Sequence, residues 1–301
     1  MTLISIIIPY HNSAASDRST MLDELIQSIP DRDDVEIIAV DDRSEVAWTP
    51  KLTPKNAELK LLKNRPDWRF AGTARNAGLE AAAGKYVLFA DSDDRYDTAS
   101  LNDLIEHAKD TSDVDVFLFR MGSFLDSGEE GTRHAYLDAH LNIYLETGKN
   151  PLRSMVSPCT KLIKRSVITE YELRFGDTKY ANDAEFAVSL YLCDPKFKVW
   201  DETIYYARQG NQGLTTDPSI ENILTRIKVF KRTNLMLRKA GIKETILLVR
   251  FRRDLKRHPF RISLELLKSA TQGHKVFPNF GEMMHFFNRR VMPKIMGKFQ
   301  E

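Results

Sequence analysis

Short apolar runs alternate with amphipathic stretches through the first 120 residues, and this alternation constrains the fold more than any other feature of the chain. Five runs are rich in β-branched or aromatic residues and are bounded by polar clusters: Leu3–Ile8, Val35–Val40, Leu59–Leu62, Tyr86–Ala90 and Val114–Phe119. This pattern predicts mostly buried strands. Apolar residues between them recur at helical spacing in 21–29 and 101–108, and Asp97 or Ser100 can cap the second helix. Alternating strands and helices predict a largely parallel sheet between helical layers.

Polar segments follow three of these runs, where the predicted strands end. They are His11–Asn12, Asp41–Ser44 and Asp91–Asp94. Each segment alone is explained equally well as a helix cap. In a parallel sheet, however, ligands bind beyond the carboxyl ends of the strands. Clustered carboxylates repel one another unless a cation lies among them, and Mg²⁺ or Mn²⁺ completes such a site with phosphates and water. The sequence therefore predicts a divalent cation and a nucleoside diphosphate.

Two other phosphate-binding motifs, the dinucleotide fingerprint and the P-loop, are absent where they would be expected. The dinucleotide fingerprint G-x-G-x-x-G does not follow the first run, where the sequence is PYHNSA. The segment GLEAAAGKY fails as a P-loop because five residues separate Gly78 from Gly84 and Tyr86 stands where Ser or Thr is required. These failures count against a dehydrogenase and a P-loop ATPase.

Three segments together resemble a known family. SIIIPYHN, VDDRS and AGTARNAGLEAAAGKYVLFADSDD occur in the order and spacing of the family 2 nucleotide-sugar glycosyltransferases of bacterial surface-polysaccharide type, and the resemblance covers roughly residues 3–216. It implies an α/β GT-A fold, which is Rossmann-like with a mostly parallel sheet between helices. It also implies inverting, metal-dependent transfer from a nucleotide-sugar donor, with uridine diphosphate as the expected carrier, to a hydroxyl of a glycan or lipid-linked glycan.

The resemblance assigns the nucleotide pocket to the first two strand ends. Asp42 is expected to hydrogen-bond the base, and Pro9 to shape the turn. His11 occupies a place where relatives often have Tyr, which leaves the preference for uracil over guanine or thymine less certain.

The Asp-x-Asp segment is expected to bind the cation and the donor. Asp93 is the expected ligand of Mn²⁺ or Mg²⁺, Asp91 is expected to reach the ribose or the metal shell, and Ser92 to lie on the donor side. Arg75 is expected to approach the phosphates or to order this loop, because a guanidinium is planar and always charged.

The second half of the resembling region supplies the acceptor side and the base. The resemblance assigns Lys161 to the acceptor side of the site. An ordinary solvated lysine explains this residue equally well. KYANDAEFAVSLYL resembles the segment that opens a helix and presents a catalytic aspartate, so Asp183 is the predicted general base, with Phe186 as its buried aromatic neighbour. Asn182 replaces the usual Glu. A base is needed because a neutral hydroxyl is a poor nucleophile.

The segment YYARQGNQGLTT at 205–216 closes the resembling region. Arg208 is the predicted phosphate contact. Gly210 and Gly213 would permit the movement of a lid, and a plain surface loop is nearly as good an explanation.

The C-terminal part differs in charge from the rest of the chain. Residues 221–301 contain 19 Lys and Arg against 6 Asp and Glu, a net charge of +13, although the whole chain has a formal charge of only +2. Apolar residues predict helices at 223–237, 246–255 and 262–267. The basic run RFRRDLKRHPFR lies beside FGEMMHFFNRRVMPKIM, whose aromatic and Met residues resemble an interfacial segment. A solvated basic face is the simpler alternative, and no nucleic-acid partner is expected because no reader module accompanies the charge.

These observations predict two domains. Residues 1–219 form the GT-A domain, with a nucleotide-sugar half at about 1–119 and an acceptor half at about 120–219, and residues 220–301 form a helical basic extension. We expect a cytoplasmic enzyme that attaches peripherally to an anionic inner membrane surface. Neither a signal peptide nor a membrane span is expected, and the two cysteines are consistent with a reducing compartment. A non-catalytic scaffold of the same fold and a nucleotidyltransferase are the alternatives.

Overall fold

The computed structural model describes residues 1–14, 16–210, 217–242, 248, 254–255, 257–274 and 276. Chain contacts divide the protein into two compact units, Met1–Gly213 and Leu214–Glu301. The sequence places the division at residues 219 and 220, six residues later.

The first unit contains all the strands and most of the helices of the described chain. The strands are β1 (Ile4–Tyr10), β2 (Val35–Asp41), β3 (Glu58–Lys63), β4 (Tyr86–Phe89), β5 (Arg95–Tyr96), β6 (Val116–Phe124), β7 (Lys161–Lys164) and β8 (Phe197–Arg208). The helices are α1 (Ser19–Gln27), α2 (Phe70–Ala81), α3 (Thr98–Asp110), α4 (Ala135–Thr147), α5 (Arg165–Glu170) and α6 (Asn182–Leu192), and a single 3₁₀ turn, Pro158–Thr160, precedes β7.

The eight strands form one mixed sheet in the order β3-β2-β1-β4-β7-β6-β8-β5. The pairs β3/β2, β2/β1 and β1/β4 are parallel, as is β6/β8, whereas β7 is antiparallel to both of its neighbours and β5 is antiparallel to β8. The predicted α/β fold with a mostly parallel sheet is confirmed. Because β2, β1 and β4 are adjacent and parallel, the segments that follow them leave the sheet at one edge.

The strands at the centre of the sheet are buried, as their apolar sequences predict. Every residue of β1 and β4 is buried, and in β2 only the last residue, Asp41, is partly exposed. Helix α2 packs against β1 and β2, and a Cβ at Gly78 would lie 2.4 Å from Cγ2 of Ile7. Glycine is therefore required there for the close approach of helix and sheet.

Strand β3 corrects one expectation. The run Leu59–Leu62 was predicted to be mostly buried, but β3 lies at the edge of the sheet and none of its residues is fully buried. Leu61 is 51% exposed. The run has the composition of a buried strand, but its lack of a second neighbour leaves one side open.

Helix α3 begins as predicted at Asp97, whose carboxylate accepts a hydrogen bond from the backbone N–H of Ser100 at 2.9 Å. This is the N-cap geometry in which a side-chain oxygen replaces a missing helical acceptor. Of the two candidates in the sequence, Asp97 is the cap.

The second unit is helical where it is described. Helix α7 spans Ile220–Lys239 and α8 spans Pro259–Thr271, and Ile223 and Ile227 share a small apolar core with Ile262 and Leu266. The third predicted helix is thus confirmed. Most of the second, 246–255, lies outside the described residues, as do 277–301 with the predicted interfacial segment. Among the described helices, none has the length and apolar character that crossing a membrane requires.

Candidate active site

The segments after β1 and β2 are joined by backbone and side-chain hydrogen bonds. The N–H of Asp42 donates to the carbonyl of Tyr10 at 2.7 Å, and the N–H of Asn12 donates to Oγ of Ser44 at 2.9 Å. The two strand ends therefore form one rigid corner at the carboxyl edge of the sheet.

The predicted nucleotide-binding residues lie in this corner. Pro9 is buried in β1, and His11 is exposed, with Nδ1 3.0 Å from the carbonyl oxygen of Asp42. The carboxylate of Asp42 accepts a hydrogen bond from Nδ2 of Asn64 at 2.8 Å, and Asn64 also bonds Thr73 at the start of α2. The sequence did not single out Asn64, which fixes the orientation of Asp42.

The loop after β4 is anchored from within by its third aspartate. Asp94 is 2% exposed, and its carboxylate accepts hydrogen bonds from the Tyr205 hydroxyl at 2.5 Å and from the Arg208 N–H at 2.7 Å. The same tyrosine oxygen accepts from the N–H of Asp91 at 2.9 Å. Burial, together with neighbouring carboxylates, holds the pKa of Asp94 well above its usual range. Ser92 is also buried. The buried residues Ser92 and Asp94 therefore position the partly exposed Asp91 and Asp93 in this loop.

Arg75 links this loop to α6. The Arg75 side chain is 7% exposed and donates to Oδ1 of Asp91 at 2.5 Å and to Oδ1 of Asn182 at 3.2 Å. Its guanidinium carbon lies 5.3 Å from the centre of the Phe175 ring. Within the described chain, Arg75 Nε is buried without a hydrogen-bond partner. Arg75 thus hydrogen-bonds the Asp-x-Asp loop, and Asn182 takes part in that network despite replacing the usual Glu.

Asp93 faces a different arginine. Its Oδ2 accepts a hydrogen bond from NH1 of Arg18 at 2.8 Å, and the Arg18 side chain is 36% exposed. Burial raises the pKa of Asp93, and the positive charge of Arg18 opposes that rise. Arg18 lies 75 positions from Asp93 in the chain, and no sequence signal linked the two.

A second unforeseen cation, Arg133, lies near the same carboxylates. The backbone N–H of Arg133 donates to Oε1 of Gln209 at 2.9 Å, and its guanidinium NH1 donates to the Arg208 carbonyl at 3.1 Å. Burial tends to lower the pKa of Arg133, but Asp94 and Asp91 outweigh it and raise that pKa. The sequence did not single out Arg133.

Asp183 lies in the first turn of α6, where a carboxylate is favoured by the unpaired N–H groups of the helix. Ala181, the residue before α6, has φ +56°, and this left-handed conformation turns the chain into the helix. Burial raises the pKa of Asp183, and the charges of Arg75 and Lys161 oppose the rise. Both cations thus act to favour the charged form of this carboxylate.

The aromatic neighbour of Asp183 is placed as predicted. Phe186 is 1% exposed and stacks on Phe175, with ring centres 4.1 Å apart and planes 2° from parallel, and both rings meet the edge of Phe89. This cluster fixes the start of α6 against the end of β4.

Lys161 is not at a surface. It is 1% exposed, and its ammonium donates to the carbonyl of Met155 and, at 2.5 Å, to the carbonyl of Ser157. Burial lowers the pKa of Lys161 to about 7, while Cys159 and Asp183 act to raise it. An acceptor could reach this ammonium only after a rearrangement, and the side chain as placed holds two carbonyls of the segment before the 3₁₀ turn.

Arg208 is fully engaged at the end of β8. Its Nε donates to the carbonyl of Asp93 at 2.8 Å, NH1 to Asp126 at 2.7 Å and NH2 to Glu24 at 2.6 Å. A phosphate contact would have to replace one of the two exposed carboxylates. The lid predicted beyond Arg208, with Gly213, lies largely outside the described residues.

The donor atoms fit a cation that is shared with a substrate. Asp91 and Asp93 are two positions apart in the loop after β4, and one oxygen of each accepts a hydrogen bond from an arginine. No group of three or more His, Cys, Asp or Glu side chains suited to a metal occurs in the described ranges. One or two carboxylates completed by phosphates and water is the usual arrangement for Mg²⁺ in nucleotide sites.

The family model that matches this chain describes glycosyltransferases, and two curated relatives are named as glucosyltransferases. The glycosyl transferase family 2 model matches residues 5–172. A poly(ribitol-phosphate) beta-glucosyltransferase of Bacillus spizizenii is 28% identical over 207 residues, 67% of this chain and 32% of the relative. A GalNAc(5)-diNAcBac-PP-undecaprenol beta-1,3-glucosyltransferase of Campylobacter jejuni is 25% identical over 64% of this chain and 60% of its own length.

A similar fold is found among solved structures. The crystal structure of Staphylococcus aureus TarS 1–349 in complex with UDP-GlcNAc has a TM-score of 0.63 at 22% identity, covering 81% of this chain and 68% of that one. The chain spans about a third of the length of the first curated relatives that it matches, at 32% and 36%.

Proposed function

The chain belongs to glycosyl transferase family 2, and from that premise we propose that it transfers a sugar from a nucleotide-sugar donor, a UDP-sugar, to a hydroxyl of a glycan or lipid-linked glycan during surface polysaccharide synthesis. Relatives named as glucosyltransferases that act on poly(ribitol-phosphate) and on an undecaprenol-linked glycan support this class of acceptor.

One observation supports the proposal most strongly. Arg75 donates both to Asp91 of the Asp-x-Asp loop and to Asn182, the residue before Asp183. The donor loop and the proposed base are therefore held by one buried side chain. Fixed relative placement of two reactants is what accelerates a group transfer.

The proposed general base is Asp183. It takes the proton of the acceptor hydroxyl as that oxygen attacks the anomeric carbon and the bond to the nucleoside diphosphate breaks. A raised pKa, caused by burial, strengthens an aspartate as a proton acceptor. A single base acting on the side opposite the leaving group gives inversion, so no carboxylate nucleophile is required.

The proposed cation site uses Asp93 and Asp91. A bound Mn²⁺ or Mg²⁺ supplies charge neutralisation for the departing diphosphate. Within the chain, Arg75 keeps Asp91 oriented, and Arg18 holds Asp93 until the donor arrives. The unused Nε donor of Arg75 supports a further contact with the donor phosphates.

The nucleotide is proposed to lie against the corner formed by β1 and β2. Asp42, held by Asn64, accepts a hydrogen bond from the base, while exposed His11 offers an imidazole face beside it. Ser92 lies on the donor side, and Arg208 contacts the phosphates once it exchanges a carboxylate partner. Lys161 remains the residue proposed for the acceptor side.

The basic C-terminal region is proposed to bring the enzyme to the anionic inner face of a membrane. The net charge of +13 in 221–301 supports this placement, since each basic residue near an anionic leaflet contributes about 1 kcal/mol. A lipid-linked acceptor is confined to that surface.

The direct test is release of nucleoside diphosphate from a panel of nucleotide sugars, with Mn²⁺ and with a chelator. We expect cation-dependent release from a UDP-sugar. If the folded protein shows no cation-dependent release from any donor in the panel, a non-catalytic scaffold of the same fold becomes the better assignment.

A further inference from the structure

Helix α8 has two apolar faces, and only one of them is packed. Ile262, Leu266 and Ser269 are buried against the core shared with α7. On the opposite side, Phe260 is 81% exposed and Leu267 63%, with Leu264 at 47% between them. Large apolar side chains scattered singly on a surface need no explanation, but three on one short helix do.

These three side chains form a continuous stripe. At 3.6 residues per turn, positions 260, 264 and 267 project within an arc of about 60°. Ser263 and Ala270, which are small, border the stripe on one flank. Thr271 projects inside the same arc one turn further on, so the exposed face is apolar from Phe260 to Leu267 and ends at a hydroxyl.

The other flank of the stripe is basic. Arg261 and Lys268 are exposed and project about 80° to 100° from Phe260, and exposed Arg257 precedes the helix. The one acid of α8, Glu265, is half-buried and lies 3.7 Å from the ammonium of Lys231. Glu265 is also i+4 from Arg261, but with Arg257, Arg261 and Lys268 against this one acid the flank keeps a net positive charge.

We propose that this face, Phe260, Leu264 and Leu267 with Arg257, Arg261 and Lys268, lies in the headgroup region of an anionic lipid membrane. An apolar stripe beside cations matches a surface that is apolar below and negative above, which is the character of interfacial helices. This inference rests on the proposed function in one respect, namely that a lipid-linked acceptor gives the enzyme a reason to be at a membrane. It adds the described residues that would meet that membrane.

The experiment is sedimentation of the full chain with vesicles of phosphatidylcholine alone and with 30% phosphatidylglycerol, a composition of roughly the charge of an anionic leaflet. The protein should bind the anionic vesicles and not the neutral ones. Leu264→Ser/Leu267→Ser should reduce partitioning roughly tenfold and make the remaining binding salt-sensitive, because only the charge attraction is left. Arg261→Gln/Lys268→Gln should reduce binding most at low salt.

A matched control is available on α4. Ile143 and Leu145 are 41% and 50% exposed, close to the values of the two leucines, but they are followed by Glu146. Ile143→Ser/Leu145→Ser should leave partitioning unchanged. Thermal melting and UDP binding of every variant show whether the fold and the donor site are intact.

Three outcomes would overturn the proposal. The first is equal partitioning of the α8 and α4 variants, and the second is no binding of the wild type to anionic vesicles. The third is concentration-dependent self-association without lipid that the α8 substitutions abolish, which would assign the stripe to a second copy of the chain. Absence of sugar transfer would refute the proposed function but would not alter these partitioning results.

Discussion

The two arginine–aspartate pairs at the site have similar distances and different surroundings. Arg75 and Asp91 are 2.5 Å apart with the arginine side chain 7% exposed, whereas Arg18 and Asp93 are 2.8 Å apart with the arginine 36% exposed. Arg75 also has Asn182 and the Phe175 ring to hold it. The aspartates differ less, at 34% exposed for Asp91 and 23% for Asp93, so the contrast lies in the arginines. A desolvated arginine is costly to leave without its partner, and a partly exposed one is worth less.

This difference separates a fixed half of the site from an exchangeable half. The fixed half contains Arg75, Asp91 and Asp183, and we expect substitutions there to affect stability or chemistry. The exchangeable half contains Arg18 and Asp93, and substitutions there should affect ligand binding alone.

The largest effect is expected for Asp183→Asn in the fixed half. Loss of the general base should reduce transfer by about 10² to 10⁴-fold, while UDP affinity stays near wild type, because the acceptor is deprotonated only during the chemical step. Steady-state transfer and calorimetric UDP titration measure the two quantities. Asp177→Asn is the control, and if Asp183→Asn keeps wild-type transfer, the base must be sought at Asp177 or Glu185.

Next in size is the stability difference between the two arginines. Arg75→Gln removes a buried guanidinium that bonds Asp91 and Asn182, and it should lower the free energy of unfolding by about 1.5 to 3 kcal/mol. Arg18→Gln should lower it by about 0 to 1 kcal/mol. Urea denaturation of both variants gives the comparison, and equal losses would remove the distinction between the halves.

The buried Lys161 gives a smaller, pH-dependent effect. Burial lowers the pKa of Lys161 to about 7 in the folded protein, so the unfolded chain, with an ordinary lysine pKa, binds more protons above pH 7. Stability should therefore rise from pH 7 towards 10 by up to about 1 kcal/mol per unit from this group. Lys161→Met should remove that rise. Denaturation at pH 7 and 9 checks it, and parallel pH profiles for both proteins would contradict the assignment.

The smallest effect is expected at Arg18. Its positive charge competes with a cation for Asp93, so Arg18→Gln should tighten Mn²⁺ binding without nucleotide by about two- to fivefold. Paramagnetic resonance of free Mn²⁺ measures this directly. The matched control is Arg43→Gln, an exposed arginine bonded to the Pro66 carbonyl, and it should have no effect. Weaker Mn²⁺ binding in Arg18→Gln would show that the pair supports the cation site.

The sequence predicted the parts of the site that depend on local pattern. Strand ends at Tyr10, Asp41 and Phe89 follow from short apolar runs, and the Asp97 cap follows from its position before a helix. The adjacency of the polar segments follows because parallel strands end at one edge.

The rest depends on contacts between distant residues. Arg18 meets Asp93 across 75 positions, and Tyr205 meets Asp94 across 111. Neither pair leaves a local signal. The burial of Lys161 and the exposure of β3 likewise depend on which elements become neighbours, which composition does not specify.

The central claim is that Asp93 holds a cation through which a nucleoside diphosphate binds. The most direct measurement is calorimetric titration of UDP into wild type and Asp93→Ala, each with Mn²⁺ and with a chelator. We expect Mn²⁺-dependent affinity in the wild type and none in Asp93→Ala, whose melting temperature should not fall because a clustered negative charge is removed. Unchanged Mn²⁺-dependent UDP affinity in Asp93→Ala would contradict the account.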